Sequence, residues 1–342
     1  MKHTEIETKQ DLANYLRCDI KFLEKAIDEE FFVRDIKYLN SSDALIAIPS
    51  TEVTVCKSYI KKKGKKEGFR IVHQAWSYQL ESSLKILNND LNNIYEPYDF
   101  IHGFVKGKSI KTNANSHLAK KMILSVDIKN YFESISREMI ISNLNKIGFS
   151  HDVSSWIASI TTINGALVQG FCTSPTIANI VTHDLDEKLK QFCGDTIEYT
   201  RYADDLYFSS ETSELSLKEI TEIIENFGFK LNEKKTKFMK RGQHQFVTGL
   251  TTFDHKTARI SKNRKRNIRL EIYYINKLGY KTHIINKLRR SGINIKEPDF
   301  KYRVLVEIDK TRDKLYGWLH FINSIEPDFS AKYYLKLKKA KQ

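Results

Sequence analysis

Two aspartates stand side by side, Asp204 and Asp205, between apolar runs at 196–202 and 206–210 that read as strands. Successive residues of an extended chain face opposite ways, so both carboxylates can serve one site only across a tight turn, and a hairpin tip tolerates Asp. A third acid, Asp127, lies near the end of the short apolar strand expected at 122–128. A buried carboxylate is costly unless it is paired or holds a metal. Taken singly, Asp127 also reads as an exposed cap of the next turn, and the Asp pair as an ordinary acidic hairpin. Taken together, three aspartates from two adjacent strands suit metal-assisted phosphoryl transfer. That chemistry uses two Mg2+ about 3.5–4 Å apart, one acidifying the attacking hydroxyl and one steadying the leaving group. Mg2+ takes oxygen ligands, usually one or two carboxylates with substrate phosphates completing the shell.

The surrounding elements must place those acids. Helical periodicity runs over 8–30 and again over 74–94, with a β-ribbon over 53–72 between them whose basic turn is Lys61-Lys62-Lys63-Gly64-Lys65-Lys66. After the Asp127 strand, Ser136 caps a helix that stops at Gly148. Ser174-Pro175 opens another, ending near Gly194, with Pro at its first position. The Asp204-Asp205 hairpin follows, then a helix over 215–227 closed by Gly228, then strands at 237–239, 245–250 and 259–261. From about 263 onward the pattern is helical and densely basic, which marks the domain boundary near 255–265.

With 342 residues the chain has room for a sizeable core, and its net charge of +14 points to a polyanionic partner. Seventeen Tyr and nineteen Phe among the Lys and Arg suit stacking on bases and sugars. The four cysteines form no C-x-x-C pair, which argues against a zinc site and a disulfide framework. No run reaches the roughly 18 apolar residues of a membrane span. No apolar leader follows Met1-Lys2-His3-Thr4-Glu5, so a cytoplasmic location is expected.

The order strand-Asp127, helix, Gln169-Gly170-x-x-Thr173-Ser174-Pro175-helix, Tyr202-Ala203-Asp204-Asp205, helix, Gly228, Asn232-x-x-Lys235-Thr236 resembles the palm of reverse transcriptases. Asn113-Ala114-Asn115-Ser116-His117 looks like the N-A-x-x-H box, and Val247-Thr248-Gly249 like the V-T-G box, of bacterial retron reverse transcriptases. Gly317-Trp318-Leu319-His320-Phe321-Ile322 is similar to the thumb segment of the same enzymes, so the resemblance runs from about residue 50 to 325.

The resemblance implies an α+β right-hand polymerase. Residues 1–50 would form an N-terminal helical region, 51–255 interleaved fingers and palm with an antiparallel sheet backed by helices, and 256–342 a basic helical thumb. Asp127, Asp204 and Asp205 would be the catalytic acids, Asp127 and Asp204 the principal ligands of two Mg2+. On the dNTP side, Arg70 would grip the triphosphate with Lys65 or Lys66, and Phe132 would stand under the sugar and exclude a 2′-OH. Gln169 would line the nucleotide and template pocket, and Lys235 would sit near the β-phosphate or simply on the surface. Asn113, His117, Val247, Thr248 and Gly249 would serve RNA binding. Arg264, Arg266 and Arg269, with Lys265, Lys287, Arg289 and Arg290, either solvate helices or track the phosphates of an RNA–DNA hybrid.

The implied activity is RNA-directed DNA synthesis on the enzyme's own structured noncoding RNA. Priming from a guanosine 2′-OH would give branched multicopy single-stranded DNA (msDNA), in antiphage defence with a separate effector protein. Two alternatives stay open: another bacterial reverse transcriptase (group II intron-like, diversity-generating or abortive-infection type), or a non-catalytic RNA-binding scaffold.

Overall fold

The structure is a computed structural model that describes residues 3–29, 31–35, 52–61, 69–212, 214–294 and 298–339. The chain begins with α1 (Lys9–Leu16), α2 (Ile20–Ile27), β1 (Phe31–Asp35), β2 (Val53–Lys61), β3 (Phe69–Ala75), α3 (Tyr78–Ile94) and α4 (Ile110–Asn115). The central stretch is β4 (Met122–Asp127), α5 (Arg137–Lys146), α6 (His151–Thr161), β5 (Thr162–Ile163), β6 (Ala166–Leu167), α7 (Ser174–Val181), α8 (His183–Cys193), β7 (Ile197–Tyr202), β8 (Asp205–Ser210) and α9 (Leu217–Asn226). It ends with β9 (Lys237–Lys240), β10 (Phe246–Val247), β11 (Leu250–Thr251), α10 (Lys262–Arg290), α11 (Phe300–Asn323) and α12 (Pro327–Lys338). Mixed helices and sheet give the expected α+β class.

Two compact units share the chain. The first takes 1–109 and 124–238; the second takes 110–123 and 239–342. The sequence reading places one boundary near 255. The structure divides the chain earlier and returns a short internal stretch to the C-terminal unit, because α4 and the segment after it bond to the strands beyond residue 239. Ala119 N–H donates to Thr252 O (2.7 Å) and Arg241 N–H to Lys121 O (2.8 Å).

A four-stranded sheet runs in the order β7-β8-β4-β9. Its apolar face and the helices enclose one core, in which Leu124, Val126, Leu206 and Phe208 meet Leu84, Leu87, Ile140, Ile157, Ile177, Leu185 and Ile220. A second sheet, β1-β2-β3, pairs β2 and β3 antiparallel from Val55↔Ala75 to Lys61↔Phe69 and adds β1 in parallel.

Two long helices expected from periodicity are each broken. The 8–30 stretch is divided where Arg17 takes a left-handed φ of 56°, and Asp19 then caps α2 by accepting from the Lys21 and Phe22 N–H groups. The 174–194 stretch turns at Thr182, leaving α7 and α8. Periodicity carries across both breaks because each pair of short helices keeps its apolar face on the same core. The strand expected at 245–250 is a miniature hairpin instead. Thr248 (φ 46°) and Gly249 (φ 80°) form a two-residue loop between β10 and β11, and two positive φ values in succession are the signature of a type I′ turn.

In the second unit α10 is helical on both sides of Gly279, whose φ of 77° and ψ of 159° break it. Glu271 on one side accepts from Lys287 (3.1 Å) and meets His283 (3.1 Å) on the other.

Candidate active site

Tyr202 and Asp205 close the β7–β8 hairpin as its last paired residues, so Ala203 and Asp204 form a two-residue loop. Ala203 has a φ of 58°, a conformation that normally favours Gly. Something must hold an alanine there, and the chain before α4 does so. Arg201 pairs in parallel with Ile101, and His102 N–H donates to Arg201 O at 2.8 Å. Gly103 then lies so close beneath the loop that a Cβ on it would stand 2.2 Å from Ala203 N.

β4 delivers Asp127 to the same place. Ile128 N–H donates to the Asp204 carbonyl (2.9 Å), Asn232 N–H donates to Asp127 O (2.8 Å), and Lys129 N–H donates to Lys230 O (2.8 Å). The Asp127 carboxylate is almost wholly buried. It accepts from Asn232 Nδ2 at 3.1 Å and from Lys235 Nζ at 2.5 Å. Burial, then the charges of Asp204 and Asp127, push the Asp205 carboxyl up to about 7, against the pull of Lys235. Burial alone would lower the Lys235 ammonium, but the hydrogen bond to Asp127 and the charges of all three aspartates leave it raised.

The charges of Asp204 and Asp127 thus bear on Asp205, and an ammonium sits on Asp127. Among the described residues no three His, Cys, Asp or Glu side chains converge closely enough to hold an ion as they stand. The donor set nonetheless fits Mg2+: it is all oxygen, and Asp205 resists ionising beside two other acids unless a cation compensates.

Behind the loop lies a buried network that the sequence reading does not anticipate. Arg201 and Asp186 are both fully buried. Arg201 Nη2 donates to Asp186 Oδ2 (2.6 Å) and Nε to Asp186 Oδ1 (2.8 Å). Tyr199 Oη donates to the same Oδ1 (2.7 Å). Arg201 Nη1 reaches three further acceptors: Tyr131 Oη (3.0 Å), Asn179 Oδ1 (3.0 Å) and the Ala203 carbonyl (3.3 Å). Asn179 Nδ2 in turn donates to Gly103 O at 3.1 Å. The available signal was a charged residue on each apolar face, Asp186 between Leu185 and Leu189 on α8 and Arg201 within a strand.

After β4 the chain turns through Asn130, whose φ is 52°. Tyr131 is buried into the network, and Phe132 is half-exposed with its ring 6.3 Å from that of Phe104. Gln169 is half-buried, and its carbonyl accepts from His73 N–H on β3 at 2.8 Å. Gly170 (φ 119°) lies against the same strand; a Cβ there would meet His73 O at 2.2 Å. Arg70 pairs with Ile60 across the ribbon. Its side chain, and Lys65 and Lys66 entirely, lie outside the described residues.

In the second unit α4, which carries Asn113-Ala114-Asn115, packs on the β10–β11 hairpin that holds the V-T-G box. Thr248 Oγ1 donates to Ile110 O (2.8 Å) and Ala258 N–H to Asn115 Oδ1 (2.8 Å). Asn113, His117 and Val247 are buried, so in this structure their side chains face protein and not a solvent-borne RNA. The Asn113 amide has no hydrogen-bond partner among the described residues. Gly249 is the second turn residue of the hairpin. Arg264, Arg266 and Arg269 are exposed on α10. The Arg264 guanidinium stacks 4.2 Å from the Trp318 ring. Arg266 and Arg269 line a cavity of about 630 Å³ with Tyr273, Tyr333 and Lys336.

Residues 60–270 match the model of the family "Reverse transcriptase (RNA-dependent DNA polymerase)". Retron Ec86 reverse transcriptase of Escherichia coli is 30% identical over 224 residues, covering 63% of this chain and 68% of that protein. Retron Mx65 reverse transcriptase of Myxococcus xanthus is 32% identical over 197 residues, 50% of this chain and 45% of that protein. Retron Ec83 reverse transcriptase of Escherichia coli is 30% identical over 243 residues, 65% of this chain and 76% of that protein. The chain therefore belongs to the reverse transcriptase family, among the bacterial retron reverse transcriptases, and is an RNA-directed DNA polymerase.

Proposed function

We propose that the chain copies part of a structured noncoding RNA into DNA, starting from a guanosine 2′-OH in that RNA, so that the product is branched msDNA. The observation that carries the site assignment is the meeting of Asp127, Asp204 and Asp205 at one hairpin loop, where Ile128 N–H donates to the Asp204 carbonyl and burial, with the charges of the other two acids added, raises the Asp205 carboxyl. Asp127, Asp204 and Asp205 would hold two Mg2+, which when bound supply a more acidic attacking hydroxyl and compensate charge on the leaving pyrophosphate.

The chain's own residues do the rest. Phe132, half-exposed beside Phe104, offers a wall against a 2′-OH on the incoming sugar. Gln169 and Gly170 shape the nucleotide side next to β3, the strand that carries Arg70, and Arg70 grips the triphosphate. Lys235 moves from Asp127 toward the β-phosphate when a nucleotide arrives, because phosphate then competes for its ammonium. Arg264, Arg266 and Arg269 track hybrid phosphates, which are recognised by backbone and shape. The N-A-x-x-H and V-T-G boxes act toward RNA through the surface they support.

The retron relatives support the self-templated reading, and with it a cytoplasmic enzyme working beside a separate effector in antiphage defence. No helix among the described residues is long and apolar enough to cross a membrane.

Primer extension on an RNA template with dNTPs, with and without Mg2+, tests the chemistry. Asp204→Asn should abolish synthesis and leave RNA binding nearly intact, since it removes charge with little change of shape; synthesis at the parental rate would overturn the assignment. Nucleic acid purified with the protein should contain RNA joined to DNA through a 2′,5′ bond. Its absence from a strain carrying the neighbouring RNA would leave the polymerase standing and remove the retron product.

A further inference from the structure

We propose that Arg201 is a positioning residue that ties the Ala203–Asp204 loop to the turn after β4 that carries Tyr131 and Phe132. A single buried guanidinium would then set both the placement of Asp204 and the discrimination between deoxyribose and ribose. The proposal rests on the roles given above to Asp204 and Phe132.

Arg201 is fully buried, and its side chain faces two ways. Nε and Nη2 bind Asp186 on α8, a fixed point anchored a second time by Tyr199. Nη1 binds two other segments: the Ala203 carbonyl, in the loop that presents Asp204, and Tyr131 Oη, one residue before the proposed sugar wall. Its third acceptor, Asn179 Oδ1, belongs to a side chain that also holds Gly103 O, beneath the same loop.

A plain structural role explains this less well. A buried ion pair often contributes little net stability compared with apolar residues of similar volume. What a planar fork of five donors supplies is fixed angles to several acceptors at once, which an ammonium cannot reproduce. The acceptors here belong to the two segments whose relative position the chemistry needs: a loop bearing a metal-binding carboxylate and the turn after β4 bearing an aromatic wall. Alanine at φ 58° in that loop also needs an outside hold, and the Ala203 carbonyl is where this one attaches.

Arg201→Lys keeps the charge facing Asp186 and loses the fork; Tyr131→Phe removes one hydroxyl and keeps the ring. Both are compared with the parent by thermal melting, by kcat and KM for dNTP and rNTP, and by hydrogen exchange of a peptide spanning 200–206. Arg201→Lys is expected to melt cooperatively, to lose about 100-fold in kcat with little change in KM, as for a displacement near 1 Å, and to exchange faster in the 200–206 peptide. Tyr131→Phe is expected to lose only a few-fold in dNTP kcat, yet to reduce the dNTP-to-rNTP preference about tenfold. If Arg201→Lys does not fold, Tyr131→Phe decides the matter alone. Parental kcat and parental exchange in a folded Arg201→Lys, or unchanged sugar preference in Tyr131→Phe, overturn the proposal. A parent that extends no primer defeats the polymerase reading instead, and hydrogen exchange in the two variants then decides whether the tether exists.

Discussion

Replacing Gly103 with alanine should disable the enzyme without touching an acid, a metal ligand or an exposed surface. The new methyl would stand 2.2 Å from Ala203 N, 2.9 Å from the Tyr202 carbonyl carbon and 3.1 Å from Ala203 Cα. These are backbone atoms, so no side chain can swing aside, and carbon contacts settle at about 3.5–4.0 Å. The loop or the 100–103 segment must therefore move by roughly 1 Å. Overpacking of this kind costs about 1–3 kcal/mol of stability. The larger effect falls on rate, because Asp204 is the next residue and a misplacement near 1 Å costs about 100-fold. Gly107→Ala is the control. Gly107 has a φ of 79° with nothing within 4 Å of a Cβ, so alanine there brings backbone strain of about 1 kcal/mol and no displacement of the loop. The assay is single-turnover nucleotide addition beside thermal melting for both variants. A Gly103→Ala enzyme that folds and adds nucleotides within twofold of the parental rate would refute the reasoning, since the contact would then have been relieved without disturbing Asp204.

Three further outcomes follow from the same geometry. Phe132→Ala should raise ribonucleotide incorporation relative to deoxyribonucleotide at least tenfold, with the overall rate reduced; Tyr131→Ala should instead damage folding, since Tyr131 is buried in the Arg201 network, and a reversed pattern would shift the sugar wall by one residue. Charge reversal at Arg264, Arg266 and Arg269 together should weaken RNA binding and flatten its salt dependence, each lost phosphate contact removing about 0.7–0.9 from the logarithmic slope; an unchanged slope would place the nucleic-acid surface elsewhere. In metal-free buffer Asp205 should make stability fall as pH rises from about 4 to about 7, because its folded pKa, near 7, lies above the unfolded value and the folded state holds the extra proton in that window. Asp205→Asn should remove that decline in melting temperature between pH 4 and 7, and identical slopes in parent and variant would show that Asp205 does not titrate there.

What the sequence discloses is set by the range of each interaction. The Asp127 strand, the β7–β8 hairpin, the β2–β3 ribbon and helices α5 and α9 are legible because alternation, caps and helix stops are local. The three acids are legible because two are adjacent and the third closes an apolar run. Gly103 is not, because its reason lies a hundred residues away in the backbone of Ala203. Arg201 and Asp186 hide for a related reason: each reads alone as one charge on an apolar face, and only the fold shows that they face each other. The V-T-G stretch looks like strand because Val247 and Leu250 are apolar, while the left-handed backbone that makes it a turn leaves no mark on hydrophobic pattern. The N-A-x-x-H box suggests polar contact by residue type, and burial of Asn113 and His117 cannot be read from type.

The second unit is interrupted: 110–123 is made first, then the stretch 124–238 belonging to the first unit, then 239–342. During synthesis α4 must wait more than a hundred residues for the hairpin that Ile110 engages and for Ala258, which donates to Asn115. An enzyme truncated before residue 239 has an orphaned α4, and a fragment beginning at 256 lacks both that helix and the β10–β11 hairpin. Cutting the chain at the start of its basic helices therefore does not yield an independent RNA-binding module. A fragment from 239 should gain order when a peptide spanning 110–123 is added to it.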